Sequence, residues 1–241
     1  MANVDVVIPV YNEEHVLEQS VDTLRAFLAE KLPHKWRIVI ADNASTDGTL
    51  AVAQRLAEKH DDVVPFHIPQ KGRGRALRAT WLGSDADVLS YMDVDLSTGI
   101  EFFPALVAAI TDEGYDVAIG SRLKKGAETT RSTLREFTSR VYNLMIKFSF
   151  WPSFQDAQCG FKAVSRQAAQ ALVPLIKNEE WFFDTELLIL ADKGGWRLKE
   201  IPVRWREDPD TRVNIRKTAM EDIRGLTRMR FTKIPKKPSA S

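Results

Sequence analysis

Two aspartates one residue apart, Asp93 and Asp95, directly follow the apolar run 88–92. Carboxylates at that spacing beyond a strand end can turn toward one cation, and Mg2+ or Mn2+ commonly binds through one or two carboxylates and substrate phosphates. The same residues would also serve as caps for a helix near 101–110, with no metal involved. Polar residues follow the earlier apolar runs too: Tyr11, Asn12 and Glu13 after 4–10, and Asp42-Asn43-Ala44-Ser45-Thr46-Asp47-Gly48-Thr49 after 36–41. Lys71-Gly72-Arg73-Gly74 sets two cations among glycines, which let backbone approach a phosphate closely. Further along come Arg122, Arg135, Ser139 and Arg212. Arginine forks pair bidentately with phosphate oxygens, although a single arginine is more often a surface charge.

The elements that must position these residues alternate. Residues 4–10, 36–41, 63–67 and 88–92 read as strands, with helical spacing between them at Leu17, Val21, Leu24 and Leu28, then over 50–59 and 75–82. Right-handed crossovers make such a sheet parallel, and ligands then sit beyond the carboxyl ends of the strands, so three acidic loops face one crevice. A further strand is expected over 116–120. In the second half, Leu134, Phe137, Val141, Leu144, Met145 and Phe148 form an apolar stripe on a helix that carries Arg131, Arg135, Arg140 and Lys147. The cluster Phe148, Phe150, Trp151, Pro152 and Phe154 suits either a core or a lipid headgroup boundary. A second basic helix, about 217–230, is expected to turn Ala219, Ile223 and Leu226 inward.

The chain has 241 residues, 44% hydrophobic and 28% charged, which fits one α/β domain with a full core. The expected division is a catalytic domain over 1–233, with halves 1–122 and 123–233, and a disordered tail over 234–241. No apolar run approaches the roughly 18 residues that cross a bilayer, and no secretory leader is recognisable. One cysteine, Cys159, excludes an internal disulfide, and without an adjacent histidine it reads as a small buried residue. A cytoplasmic location follows as an expectation. Net charge is +1, yet residues 121–147 hold seven Lys/Arg against two acids, and 201–241 hold eleven against five. That asymmetry suits phosphates or an anionic lipid surface, and equally plain solvated helix faces.

In order and spacing, Val7-Ile8-Pro9-Val10-Tyr11-Asn12-Glu13, the Asp42 to Thr49 run, Lys71 to Gly74 and Asp93-Val94-Asp95 resemble glycosyltransferase family 2 with the A-type fold, over roughly 4–122. Ser121-Arg122, Arg135-Glu136-x-x-Ser139, Gln158-Cys159-Gly160-Phe161-Lys162 and Trp181-Phe182-Phe183-Asp184-Thr185-Glu186 extend the likeness toward the dolichyl-phosphate glucose and mannose synthases. The resemblance implies a single Rossmann-like nucleotide-diphospho-sugar transferase domain, a mostly parallel sheet with helices on both faces. It implies that Pro9, Tyr11, Glu13 and Asp42 hold base and ribose, and that Lys71, Asp93 and the backbone of Val94 meet the diphosphate. Asp95 would be the principal ligand of Mg2+ or Mn2+. The mannose-type synthases place a Gln two residues later as second ligand; here Ser97 is a weaker donor, which points away from GDP-mannose. Arg122 and Arg212 fall on donor-phosphate positions, Arg135 and Ser139 on acceptor-phosphate positions. Asp184 would hydrogen-bond sugar hydroxyls, and it also fits the N-cap of the helix carrying Leu187 to Leu190.

The implied reaction is inverting transfer of a hexose from a UDP-sugar, glucose ahead of N-acetylhexosamine, to polyprenyl phosphate. It would occur at the cytoplasmic face of a membrane, with the chain bound peripherally, with or without a separate membrane protein. A family 2 enzyme acting on a sugar or protein hydroxyl would instead need a general base, for which Asp184 and Glu186 are the candidates. A non-catalytic nucleotide-sugar-binding membrane adaptor would not need Asp93, Asp95, Arg122 and Arg135 intact. The acidic crevice speaks against a nucleic acid partner.

Overall fold

Strands that are apolar on both faces must be covered by helices on both faces. A computed structural model describes residues 1–130, 133–207 and 215–238, without the side chains of 133–135 and 215–217. Strands β1 (Asn3–Val10), β2 (Lys35–Asn43), β3 (Val63–Ile68) and β4 (Val88–Met92) run parallel, joined by α1 (Leu17–Lys31), α2 (Thr49–Lys59) and α3 (Arg73–Leu82). After α4 (Phe103–Thr111) come β5 (Val117–Ser121), β6 (Glu128–Thr130), α5 (Thr133–Phe150), β7 (Phe161–Ser165), α6 (Arg166–Leu172), α7 (Phe183–Gly194), β8 (Leu198–Pro202), β9 (Arg204–Arg206) and α8 (Ile215–Arg230). The main sheet has the order β3-β2-β1-β4-β7-β5-β8, and β6 pairs with β9 apart from it. The sheet is mostly parallel, as the sequence led us to expect, with β7 antiparallel to both neighbours. Strands from beyond residue 122 therefore complete the sheet begun by β1.

Alternation along each strand feeds two cores. Val4, Val6, Ile8 and Val10 face Leu17, Val21, Leu24 and Leu28 of α1 together with Phe103 and Leu106 of α4. Val7, Val39 and Ala41 face Leu77 and Trp81 of α3 and the helices α6 and α7. Pro9 has no N–H to give a central strand, and it lies past Val7, the last β1 residue in register with β4.

Helices α5 and α8 form where the sequence places them, but with their apolar stripes turned outward. Tyr142, Ile146 and Phe150 are the buried side of α5, while Phe137, Val141, Leu144, Met145 and Phe148 are exposed. On α8, Leu226 and Met229 are buried and Ile223 is exposed, so of the three residues expected inside only Leu226 is core. The aromatic cluster divides: Phe150 and Phe154 are 7% and 5% exposed, whereas Phe148 and Trp151 are 67% and 72% exposed. The tail expected to be disordered docks over 234–238. Ile234 packs on the core, Lys237 N–H donates to the Gly194 carbonyl at 2.8 Å, and its ammonium meets Asp116 at 2.7 Å. Residues 239–241 lie outside the described residues.

The first turn of α3 presses on the segment leading into α7. A Cβ at Gly74 would stand 2.7 Å from the Phe183 Cβ and 3.0 Å from the Glu180 carbonyl oxygen. Alanine gains about 1 kcal/mol over glycine inside a helix, but overpacking against backbone that cannot swing aside costs about 1–3 kcal/mol. Gly74→Val, larger still, should lower the melting temperature by several degrees, at about 2–4 °C per kcal/mol for a chain of this size. Thermal denaturation followed by circular dichroism checks this, and an unchanged midpoint would contradict the close approach.

Candidate functional site

The loops beyond β1, β2 and β4 meet at the carboxyl edge of the sheet, where sheets of this type bind ligands. Asn12 Oδ1 accepts the Thr46 N–H at 2.7 Å, Asn12 N–H donates to Ser45 Oγ at 2.9 Å, and Glu13 N–H donates to Thr49 Oγ1 at 2.8 Å. These bonds stitch the first two loops together. Asn12, Ala44 and Leu96 hold φ at 57°, 65° and 50°, a conformation that costs a non-glycine residue about 1–2 kcal/mol. Strain of this kind concentrates at functional sites. Lys71 Nζ lies 3.4 Å from the centre of the Tyr11 ring. Asp42 is fully buried, with Oδ2 2.6 Å from His67 Nδ1 and Oδ1 accepting the Ser45 N–H at 3.3 Å. Pro9, Tyr11, Glu13, Asp42 and Lys71 thus all belong to this edge.

Neither Asp93 nor Asp95 caps a helix. The turn beginning at Ile100 has Gly99 at its N-cap, while Asp95 Oδ1 accepts the Ser97 N–H at 2.9 Å. The Asp95 carboxylate lies close enough for its charge to raise the Asp93 carboxyl. Asp95 and Ser97 line a cavity of about 640 Å³ beside α1 and Arg204, and Asp93 lines another of about 420 Å³. The donors beside α1, an exposed carboxylate and a hydroxyl, are hard oxygens that fit Mg2+ or Mn2+ when substrate phosphates supply the remaining ligands. Burial pushes the Asp93 carboxyl above its ordinary range against the opposing charge of Arg73. A Cβ at Gly160 would run into the Asp93 carboxylate and displace it.

Beneath Asp93 lies a buried ionic cluster. Arg73 Nη1 donates to Asp184 Oδ2 at 2.6 Å and Nη2 to Asp93 Oδ1 at 3.1 Å. Lys162, with no exposed surface, holds Asp184 Oδ1 at 3.2 Å and the carbonyls of Ala157 and Cys159 at 3.2 and 2.6 Å. The Tyr91 hydroxyl donates to the same Oδ1. Asp184 is therefore not the N-cap that its position suggested: α7 starts at Phe183 after Phe182, with no side-chain cap. Burial alone would raise the Asp184 carboxyl, but Lys162 and Arg73 hold it below the usual carboxylate range.

The cavity of about 420 Å³ joins this cluster to the two basic helices. Arg73, Asp93, Arg122 and Asp184 line it beside Phe137, Val141 and Met145 of α5 and Ile223 of α8. Arg122 gives Nε and Nη2 to the two oxygens of Asp156, both at 2.8 Å, and its guanidinium stacks on Trp205 at 5.4 Å. The loop of Asp156 is pinned in turn, with Gln155 and Asp156 N–H groups donating to Glu200 at 2.9 and 3.1 Å. Ser139 also lines the cavity, and its buried Oγ has no partner among the described residues. The side chain of Arg135 and the whole of Arg212 lie outside the described residues.

Glu186, the other candidate base, is buried under Arg228 of α8 at 2.7 Å and accepts the Asn178 N–H at 3.0 Å. Burial pushes the Cys159 thiol up to about 12, as befits a small core residue. Sequence reasoning missed Tyr91, Asp156 and His67. Tyr91 shares a strand face with Asp93, so alternation could have found it. Asp156 and His67 belong to no motif, and only folding sets them against Arg122 and Asp42.

A model of the family described as "Glycosyl transferase family 2" matches residues 5–173. Glycosyltransferase AglD of Haloferax volcanii is 35% identical over 228 residues, covering 92% of this chain and 35% of that protein. A dolichyl-phosphate beta-glucosyltransferase of Drosophila melanogaster is 32% identical, covering 84% of this chain and 66% of that protein. The chain thus spans about a third of the first relative's length and just under two thirds of the second's. Among solved structures, glucosyl-3-phosphoglycerate synthase from Mycobacterium tuberculosis in complex with Mn2+, UDP and phosphoglyceric acid superposes with a TM-score of 0.70. It is 18% identical, with 96% of this chain and 80% of that one covered. At that identity the likeness establishes the fold.

The Asp156–Arg122 pair makes a prediction about acid stability. Burial opposes ionisation of Asp156, yet Arg122 draws its carboxyl down from 3.8 to about 2. A depressed carboxylate contributes stability above its unfolded pKa and loses it as pH falls through the folded value, here between roughly pH 4 and pH 2. The loss should be about 2 kcal/mol. Urea unfolding of wild type and Asp156→Asn across this range should show their stability difference shrinking by that amount toward pH 2. A constant difference would contradict the assignment.

Proposed function

Since the chain belongs to glycosyl transferase family 2, we propose that it transfers a hexose from a UDP-sugar to the phosphate of a polyprenyl lipid, inverting the anomeric centre with Mg2+ or Mn2+ present. The observation that carries this reading is the cavity of about 420 Å³, whose wall is charged at Arg73, Asp93, Arg122 and Asp184 and apolar along α5 and α8. That is the chemistry of an acceptor with an anionic head and a hydrocarbon tail. The Drosophila relative's name favours glucose as the sugar, with N-acetylhexosamine second.

Pro9, Tyr11, Glu13 and Asp42 hold the nucleoside end of the donor, and Lys71, Asp93 and the Val94 backbone its diphosphate. Asp95 and Ser97 would hold the cation, which supplies charge neutralisation for the leaving diphosphate. Arg122, with two nitrogens fixed on Asp156, offers Nη1 to phosphate, and Arg212 joins it on the donor side. Arg135 and the Ser139 Oγ, which has no partner among the described residues, take the acceptor phosphate. A phosphate monoester with a second pKa of about 6 is already anionic near neutral pH, so no base is required. What the site must do is hold two repelling phosphates in line. Asp184, with both oxygens engaged by cations and Tyr91, orients the sugar and takes no proton.

The outward stripes of α5 and α8 supply the lipid side of the reading. Phe137, Leu144, Phe148, Trp151 and Ile223 are exposed beside Arg140, Lys147, Arg224 and Arg230, a combination that suits an anionic bilayer surface. No helix among the described residues is long and apolar enough to cross a membrane. At about 1 kcal/mol per basic residue near such a surface, peripheral binding should be measurable and salt-sensitive. It would occur at the cytoplasmic face, with or without a recruiting membrane protein. Sedimentation with anionic liposomes should carry the chain down at low salt and release it at high salt; no binding at low salt, or binding indifferent to salt, refutes it.

The reaction itself is tested with a panel of radiolabelled UDP- and GDP-sugars, a short polyprenyl phosphate and Mg2+ or Mn2+, followed by lipid extraction. Asp95→Asn and excess EDTA should each abolish transfer. Arg135→Ala should lose on the order of 10²-fold or more, mainly as weakened use of lipid phosphate, whereas Glu186→Gln should remain far more active. Should Glu186→Gln be dead while Arg135→Ala stays near wild type, a base-assisted transfer to a hydroxyl takes the place of this reading.

A further inference from the structure

Helices α5 and α8 close one side of the cavity of about 420 Å³, and each sets a buried polar side chain on that wall, Tyr142 from α5 and Asp222 from α8. Ser139 and Tyr142 stand three residues apart on α5 and so share a face. The Tyr142 hydroxyl lies 2.7 Å from Thr185 Oγ1 of α7, and it also faces the carboxyl of Asp222. Asp222 is 5% exposed, and no cation among the described residues pairs with it. The charges elsewhere on the cavity wall are already spoken for. Arg73 is shared by Asp93 and Asp184, and Arg122 is held by Asp156. A buried carboxyl without a counter-charge avoids the cost of ionising by keeping its proton. Burial accordingly pushes the Asp222 carboxyl up to about 7, with Tyr142 opposing the rise and the neighbouring Glu221 charge adding to it.

The two forms of this carboxyl present opposite chemistry to a phosphate. With its proton it donates one hydrogen bond; without it, it only accepts. An ionised phosphate monoester has oxygens that only accept, so beside a carboxylate it would meet a like charge and an acceptor with nothing to give. We propose that Asp222 binds the acceptor phosphate as a neutral hydrogen-bond donor, so that the cavity takes lipid phosphate only while this carboxyl keeps its proton. Tyr142, tied to Thr185, is then a positioning residue that keeps the carboxyl at the cavity wall. The monoester loses its second proton at about pH 6, and Asp222 loses its own at about 7, so nucleophile and donor coexist best near neutral pH. A carboxyl of this kind would also suit a general base, and an amide in its place separates the two roles, because an amide donates but takes no proton. The inference rests on the polyprenyl phosphate acceptor proposed above and adds a group, outside every motif of the sequence, that reads its charge.

The test is steady-state kinetics of the full chain with UDP-glucose, Mg2+ and a short polyprenyl phosphate from about pH 6 to about pH 9, comparing wild type with Asp222→Asn and Asp222→Leu. In wild type, kcat/KM for the lipid phosphate should fall about tenfold between roughly pH 7 and pH 8.5 as the carboxyl ionises, while KM for UDP-glucose changes by less than about twofold. Asp222→Asn, which keeps a donor and cannot ionise, should hold its own kcat/KM within about twofold over that range. Asp222→Leu, with neither donor nor charge, should also lose the alkaline fall and sit about fivefold or more below Asp222→Asn throughout. At roughly pH 8, Asp222→Asn should melt no lower than wild type, since it removes an unpaired buried charge; a clear drop contradicts the premise. If wild type shows no alkaline fall, or Asp222→Asn keeps it or is inactive at every pH, this inference falls while the acceptor reading stands on the wild-type transfer. If wild type makes no lipid-linked product at any pH, the acceptor reading falls and takes this inference with it.

Discussion

One guanidinium ties the crevice together. Arg73 bridges Asp93 at the sheet edge and Asp184 on α7, and without it both carboxylates would lose the cation they share. Taking an ion out of water costs several kcal/mol even after relaxation, so such a cluster persists only if every charge has partners in good geometry. The partners are there: Lys162 spends its ammonium protons on Asp184 and on two backbone carbonyls, and Tyr91 closes the set. Arg73 reaches this position because Gly74 lets α3 come close against the residues before α7. Glycine, helix contact and charge cluster are one construction.

That construction decides what the carboxylates can do. Asp184 is held as an anion with both oxygens engaged, and Glu186 meets Arg228 and the Asn178 N–H. Two acidic residues that looked in sequence like candidate bases are thus bound into the frame. Arg122 shows the complementary principle. Its bidentate hold on Asp156 and its stacking on Trp205 fix the direction of the one nitrogen left over, and a cation already oriented need not be ordered again when a phosphate arrives.

Helices α5 and α8 show a different economy. Each buries one narrow side against the body and leaves a second apolar stripe outside, with Phe148 and Trp151 edge to face at 6.5 Å. Exposed apolar surface of this extent carries a free-energy cost in water that a partner surface relieves. The charged and apolar walls of the cavity meet between these helices and the ionic cluster, so the surface that would touch lipid and the pocket that would receive a phosphate are continuous.

The sequence by itself determined the βαβ alternation, the mostly parallel sheet and the polar loops at its carboxyl edge, because period-2 and period-3.6 patterns are local and crossover handedness follows from them. Docking of residues 234–238 was not legible, since it depends on Asp116 and Gly194, far away in the chain. Nor was the facing of α5, where Tyr142, Ile146 and Phe150 compete with the longer stripe through Phe137, Leu144 and Phe148, and a helix with two apolar sides does not announce which goes inward. Only the tertiary structure tied Asp93 to Arg73 and left Asp95 exposed. It alone joined Asp156 to Arg122 and His67 to Asp42, pairs 34 and 25 residues apart. Ion pairs and hydrogen bonds act over a few ångströms of space and leave no periodicity along the chain, so their partners are fixed by packing and not by spacing.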